Sequence, residues 1–265
     1  MLQPMPFYRE AGAGEGVICL HSNASASAQW RGLMELLAPR HHVFAPDGYG
    51  AGKSPPWPQD RVLALADEVA LLEPVFALAG DPFCLVGHSY GAATALIAAL
   101  RHPGRVRALA LYEPTLFCLL DEEAPGQAAA QGIRDAVAAA AAALDVQDPH
   151  TAARHFIDYW MGAGTWAAMP GPRQALITGS MSNVRGWAQA LFGEPTRLAA
   201  FRELRVPVLY MTGGRSPASA RGVARLLTAA LPDVQVVEFP ELGHMGPVTD
   251  PGPVNDAIAA FLDRP

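Results

Sequence analysis

The sequence predicts an α/β protein: a mostly parallel, doubly wound sheet with helices on both faces and an inserted all-helical segment. Three observations carry this. Short apolar runs that read as strands alternate with longer helical stretches. Several runs are apolar nearly throughout, as strands covered on both faces must be. The alternation then stops between roughly 117 and 201, where no strand is convincing.

The candidate strands are Gly16–His21, His42–Ala45, Phe83–Gly87, Val106–Tyr112, Val206–Thr212 and Val234–Phe239. Between them lie helical patterns at Arg61–Leu78, Gly91–Arg101 and Ala218–Ala230, with a last one at Pro253–Leu262. Inside the insert, Ala128–Leu144 is Ala-rich and strongly helix-favouring. Thr151–Met161 and Gln174–Leu191 also read as helical, with breaks at Gly162–Gly164 and Met169–Pro172. The chain therefore divides into a core of residues 1–116 and 202–265 and a helical cap of residues 117–201.

Composition excludes several classes. The 265 residues are 51% hydrophobic and 17% charged, which permits a large core and argues against disorder. The net charge of −6 is scattered and no basic block stands out, so no nucleic-acid partner is expected. The first residues lack a basic start followed by an apolar run, so no secretory signal is expected. The most apolar helical stretch, Ala136–Leu144, is far shorter than the roughly 20 residues of a membrane span. Cys19, Cys84 and Cys118 form no paired spacing, so a disulfide framework is not expected and a reduced, cytoplasmic compartment fits best. No H-E-x-x-H and no clustered Cys/His spacing occurs, so neither a metal nor a cofactor is expected. The acidic run Asp121-Glu122-Glu123 reads as a solvated helix start. Gly12–Gly16 lacks the Lys-Ser/Thr of a phosphate loop. No sequence feature specifies an oligomeric state.

One segment carries chemistry. The run Phe83–Val86 leads into Gly87-His88-Ser89-Tyr90-Gly91, and an Ala-rich helical pattern follows. This is G-x-S-x-G in strand–turn–helix context, the nucleophile elbow. A nucleophilic serine must project from a tight turn above the sheet, and glycines on either side let strand and helix approach closely. The helix N-terminus behind it favours developing negative charge. The plain alternative is a Gly-rich loop with a helix-capping serine.

A serine hydroxyl is a weak nucleophile without a base. His244 follows the last strand in Glu241-Leu242-Gly243-His244-Met245-Gly246-Pro247, a loop at the carboxyl end of the sheet. From there it can reach a serine on a central strand. The histidines at 41, 42, 102, 150 and 155 fall in loops or in the insert and read mostly as surface residues. His88 is expected to point away from its neighbour Ser89.

With these residues in hand, the chain resembles the α/β-hydrolase superfamily from end to end. Leu20-His21-Ser22-Asn23 is similar to the family's His-Gly oxyanion loop, with Ser22 where glycine is usual. Asp47-Gly48-Tyr49-Gly50-Ala51-Gly52-Lys53-Ser54 is similar to its D-x-x-G-x-G-x-S turn. The insert occupies the family's cap position. The resemblance implies an oxyanion hole made by the amides of Asn23 and Tyr90, and a structural role for His21.

It also implies a carboxylate to hold the histidine in the right tautomer. The family usually places it after the strand Val206–Thr212, but no Asp or Glu occurs from Thr212 through Pro232. Glu113 stands at the carboxyl end of Val106–Tyr112, a position used by some relatives, notably haloalkane dehalogenases. Glu113 is therefore assigned as the acid. Asp47, by resemblance a turn residue, and a serine–histidine pair supported by Ser216 remain as alternatives.

The cap is rich in aromatic and Met residues, most of which must pack cap against core. Trp160, Trp166, Trp187 and Met245 are the candidates for lining an apolar pocket over Ser89. The expected activity is hydrolysis of a small to medium apolar carboxylic ester through an acyl-enzyme. A carbon–carbon bond hydrolase, a lactonase or a perhydrolase would use the same residues. A non-catalytic ligand-binding protein of this fold is the reading from another class. The expected partner is thus a small apolar acyl compound.

Overall fold

A computed structural model describes residues 5–264 except 59 and 123, and the side chains of 124–126 are left aside. Residues 1–4 and Glu123 of the acidic run thus lie outside the described residues. Seven strands form one sheet: β1 (Tyr8–Ala11), β2 (Glu15–Leu20), β3 (His41–Pro46), β4 (Phe83–His88), β5 (Val106–Tyr112), β6 (Val208–Gly213) and β7 (Val234–Phe239). Their spatial order is β1-β3-β2-β4-β5-β6-β7. Only the β1–β3 pair is antiparallel.

Period-two alternation explains how the strands bury both faces. Ile18 and Leu20 of β2, Phe83 and Leu85 of β4, and Leu109 and Leu111 of β5 enter one core. Val17 and Cys19, Cys84 and Val86, and Ala108 and Ala110 enter the other. The second core is closed by α1 (Arg31–Leu37) and α12 (Pro251–Leu262), which supply Leu33, Leu37, Val254 and Ile258. The first is closed by α2 (Leu65–Ala79), α3 (Tyr90–Arg101) and α10 (Ala218–Ala230).

Between β5 and β6 the described chain is helical. It holds α4 (Ala124–Asp145), α5 (Pro149–Met161), α6 (Thr165–Ala168), α7 (Gly171–Ser180), α8 (Val184–Phe192) and α9 (Leu198–Phe201). Local chemistry sets its joints. Asp148 caps α5 by accepting from the Thr151 amide at 2.9 Å, with Pro149 at the first helical position. The single helix expected over 174–191 is two helices, because a 3-10 turn at Met181–Asn183 separates α7 from α8. After β7 comes the one-turn α11 (Gly246–Thr249). Among the described residues no helix is long and apolar enough to cross a membrane.

The chain leaves β2 toward β3 on one side, then crosses back so that β4 pairs with the other side of β2. The carboxyl ends of β2 and β4 thus flank a switch point, where a crevice opens in open α/β sheets. Asn23 follows β2 and Ser89 follows β4, so both candidates stand at that crevice.

Candidate active site

Ser89 sits between β4 and α3 with φ 57° and ψ −115°. A non-glycine residue in this region costs about 1–3 kcal/mol, so the surroundings must enforce it. They do so with backbone hydrogen bonds. The Ser89 amide donates to Tyr112 O at 2.9 Å, and Ser89 O accepts from Ala93 N at 3.0 Å. The flanking glycines are steric necessities: a Cβ on Gly87 would meet the backbone of Ala92, and one on Gly91 would overlap the carbonyl oxygen of Leu20.

That second approach brings the loop after β2 directly against the start of α3. Tyr90 is the first residue of α3, and the first amides of a helix have no intrahelical acceptor. Asn23 lines the same chamber as Ser89. His21 fixes the loop: its Nδ1 donates to Ser22 O at 2.8 Å, and its Nε2 accepts from Gly48 N at 3.0 Å. Burial pushes the His21 pKa down, against the opposing pull of Ser22 O and Asp47.

The structure brings Ser89, His244 and Glu113 into one line. His244 Nε2 lies 2.9 Å from Ser89 Oγ, and His244 Nδ1 lies 2.7 Å from Glu113 Oε2. The imidazole is 1% exposed and the carboxylate is fully buried. Glu113 Oε1 accepts from Thr212 Oγ1 at 2.8 Å and from Gly213 N at 2.7 Å, both at the end of β6. Burial pushes the Glu113 carboxyl up. The hydrogen bond and charge of His244 outweigh it, with help from the Gly213 amide, and the net shift is down. A carboxylate beside Nδ1 keeps the proton there and leaves Nε2 free to accept from Ser89.

Asp47 is occupied elsewhere, accepting from Ser27 N at 2.6 Å and from Lys53 N at 3.0 Å. The Ser216 hydroxyl completes no hydrogen bond, so Glu113, not Ser216, is the group held against His244 Nδ1.

A small chamber of about 30 Å³ opens beside Ser89 and His244, lined by Trp160, Trp187 and Met245 with Phe117 and Ile133. Trp160 stacks on the His244 ring at 4.0 Å between centroids. A larger cavity of about 500 Å³ adjoins it, sharing Asn23, Phe156, Trp160 and Met245. Trp166 departs from expectation. It lines neither space, because its ring is buried inside the helical segment against His150, and its amide is held by Asp158 Oδ1 at 2.9 Å. His41 departs too: it opens β3 and is 6% exposed.

Behind the loop that follows β2 lies a buried carboxyl that the sequence did not flag. Glu68 of α2 accepts from Tyr49 N at 3.2 Å and from Tyr90 Oη at 3.3 Å. Burial pushes its pKa up to about 7, against the pull of those two donors. His88 and Gln29 also went unrecognised. His88 makes no contact with the Ser89 hydroxyl but is fully buried beneath it, with partners taken up below. Among the described residues no group of three or more His, Cys, Asp or Glu side chains gathers in metal-binding reach.

A serine on a strand–turn–helix elbow, aligned with a histidine and a carboxylate at the switch point of a parallel sheet, defines a class of fold and site. A family model for the alpha/beta hydrolase fold matches residues 16–251, and the chain belongs to that family. It is 29% identical over 246 residues to the pimeloyl-(acyl-carrier protein) methyl ester esterase of Chromobacterium violaceum, covering 90% of each chain. It is 30% identical over 270 residues to lipase LipV of Mycobacterium tuberculosis, covering 93% of this chain and 92% of that one. In fold it is similar to a hydrolase from Oleispira antarctica, with a TM-score of 0.79 at 18% identity over 99% of this chain and 96% of the other.

Proposed function

We propose that this protein hydrolyses a small to medium apolar carboxylic ester through an acyl-enzyme formed on Ser89. The observation that carries the reading is the unbroken line Ser89 Oγ–His244 Nε2, His244 Nδ1–Glu113 Oε2.

In this reading each group of the site has one role. His244 takes the Ser89 proton as Oγ attacks the ester carbonyl. Negative charge on the carbonyl oxygen is met by the amides of Asn23 and Tyr90 at the N-terminus of α3. Glu113, held ionised, stabilises the imidazolium that forms. His244 then gives its proton to the leaving alcohol. Water, activated the same way, releases the acid and restores Ser89.

The lining supports an apolar acyl group. Phe117, Ile133 and Trp187 leave little in the chamber for a charged substrate to pair with. In this reading residues 117–201 act as a cap that supplies that lining. The esterase and lipase names of the two relatives support an ester bond. A cytoplasmic setting belongs to the same reading, supported by the free thiols of Cys19, Cys84 and Cys118.

The test is a fluorophosphonate probe followed by a substrate screen of esters, lactones and diketones. Wild type labels and turns over short nitrophenyl esters, and Ser89→Ala does neither. Labelling with turnover of diketones or lactones alone would move the reading to carbon–carbon or lactone cleavage. No labelling would leave a binding protein.

A further inference from the structure

The loop that carries His244 lies across the ends of three adjacent strands. Three successive carbonyls are each held by a donor from a different strand end. Leu242 O accepts from Arg215 N, just past β6, at 2.9 Å. Gly243 O accepts from Tyr112 Oη, at the end of β5, at 2.8 Å. His244 O is 2.8 Å from His88 Nε2, at the end of β4. The first two anchors stop there. The third continues: His88 Nδ1 lies 3.0 Å from Gln29 Nε2, and Gln29 Oε1 lies 3.2 Å from Ser22 N and 3.0 Å from Ser22 Oγ.

One atom fixes every proton in this chain. The Ser22 backbone N–H can only donate, so the Gln29 atom facing it is the carbonyl oxygen. The Gln29 amide nitrogen therefore donates to His88 Nδ1. That makes Nδ1 the bare nitrogen and puts the ring proton on Nε2, where it donates to His244 O. The bonds run head to tail from Ser22 to the base loop, an arrangement in which each polarises the next. His88 is fully buried and Ser22 is 2% exposed, while Gln29 between them is partly buried at the wall of the larger cavity. Burial, then the nearby His244, push the His88 pKa well down, which keeps the ring neutral.

We propose that Gln29 and His88 are positioning residues that tie the oxyanion loop to the base loop, with Ser22 as the anchor next to Asn23. The inference rests on the hydrolase reading above. Attack on the carbonyl needs the Asn23 amide and His244 Nε2 in register at the same moment, and the two sit on loops far apart in sequence. A misplacement of about 1 Å in such a group costs on the order of a hundredfold in rate. The relay gives both loops one common reference. It also accounts for Ser22 at a position where glycine would leave Gln29 Oε1 with a single donor.

The test uses Gln29→Leu and Ser22→Ala with a short nitrophenyl ester. Gln29→Leu keeps the bulk and loses both polar ends. It is expected to lower kcat about 10- to 100-fold with KM within about threefold, and to slow fluorophosphonate labelling in parallel. Ser22→Ala, which removes one hydroxyl and no backbone constraint, is expected to lower kcat about fivefold. The two losses should be non-additive in the double variant, because Gln29→Leu removes the acceptor that the Ser22 hydroxyl serves. A kcat within twofold of wild type in a folded Gln29→Leu protein overturns the proposal, as does strict additivity. Should Gln29→Leu not fold, Gln29→Glu takes its place: its carboxylate keeps the Ser22 contact and cannot donate to His88 Nδ1, and an unchanged kcat in it decides against the proposal. An independent readout is the 15N spectrum of the wild-type imidazoles: His88 should be protonated at Nε2, and a proton at Nδ1 overturns the relay. That spectrum does not depend on turnover. Failure of the hydrolase reading would appear instead as a wild type that neither labels nor cleaves esters.

Discussion

Glu113 Oε2 lies 2.7 Å from His244 Nδ1, although 131 residues separate the two in the chain. The carboxylate enters from the end of β5, one strand over from Ser89, and its other oxygen is fixed by Thr212 and the Gly213 amide. This second contact decides what a substitution does. In Glu113→Gln, Gly213 N–H can only donate, so the carboxamide oxygen must face it and the NH₂ must face His244. Nδ1 then has to accept, which moves the ring proton to Nε2, where it opposes Ser89. The expected outcome is a fall in kcat of about 10³- to 10⁴-fold with near-native melting, read by ester turnover and thermal unfolding.

Trp160 and Trp166 should separate cleanly. Trp160 lines both the small chamber and the larger cavity, while Trp166 packs inside the helical segment. Trp160→Leu should shift the preference among nitrophenyl esters toward longer acyl chains, raising the kcat/KM ratio of octanoate to butyrate. Trp166→Leu should leave that ratio unchanged and lower stability by about 2–4 kcal/mol through the cavity it leaves. Chain-length profiles and denaturant midpoints check both.

Gly91→Ala should damage both fold and site. The added Cβ meets backbone, the Leu20 carbonyl, and backbone has nowhere to yield. A loss of about 1–3 kcal/mol in unfolding free energy is expected, with loss of turnover as the oxyanion loop is pushed off α3.

Glu68 sets a pH dependence of stability. Its pKa is raised on folding, from the ordinary 4.5 to about 7, because burial penalises the charge. Between those values the folded state holds the proton more tightly than the unfolded chain does. This contribution to stability is therefore complete below pH 4.5, declines as pH rises, and is lost above about 7. Against Glu68→Gln, wild type should lose up to about 3 kcal/mol across that window. Denaturant unfolding of both proteins at pH 5 and pH 8 measures the difference.

Much of the fold was legible because its causes are local. β2 to β6 are largely apolar runs, β7 alternates, and all six stand within about two residues of where the sequence puts them. β1 was not legible: Tyr8-Arg9-Glu10-Ala11 is short and half exposed, and only pairing with β3 makes it a strand. α1 is too short for its periodicity to stand out. Trp160 and Trp166 look alike in sequence, since both are aromatic residues of the insert six positions apart. Gln29 carries no motif at all, and its value comes from His88, 59 residues away.

The sequence by itself determined the elbow. Glycines at 87 and 91, a strand before and a helix after are short-range facts, and they are enough to lift Ser89 above the sheet. Alternating burial, set by the pitch of the strand, likewise follows from neighbours in the chain. Only the tertiary structure decided which groups meet there. His244 is 155 residues from Ser89 and Glu113 is 131 from His244, and what brings them within 3 Å is the lateral order of β4, β5, β6 and β7, with the loop after β7 reaching back across the strand ends. The same order lays the His244 carbonyl over His88 and so reaches back through Gln29 to Ser22. Strand order depends on which side of β2 the chain crosses, a choice made by packing of the whole sheet and carried by no single segment.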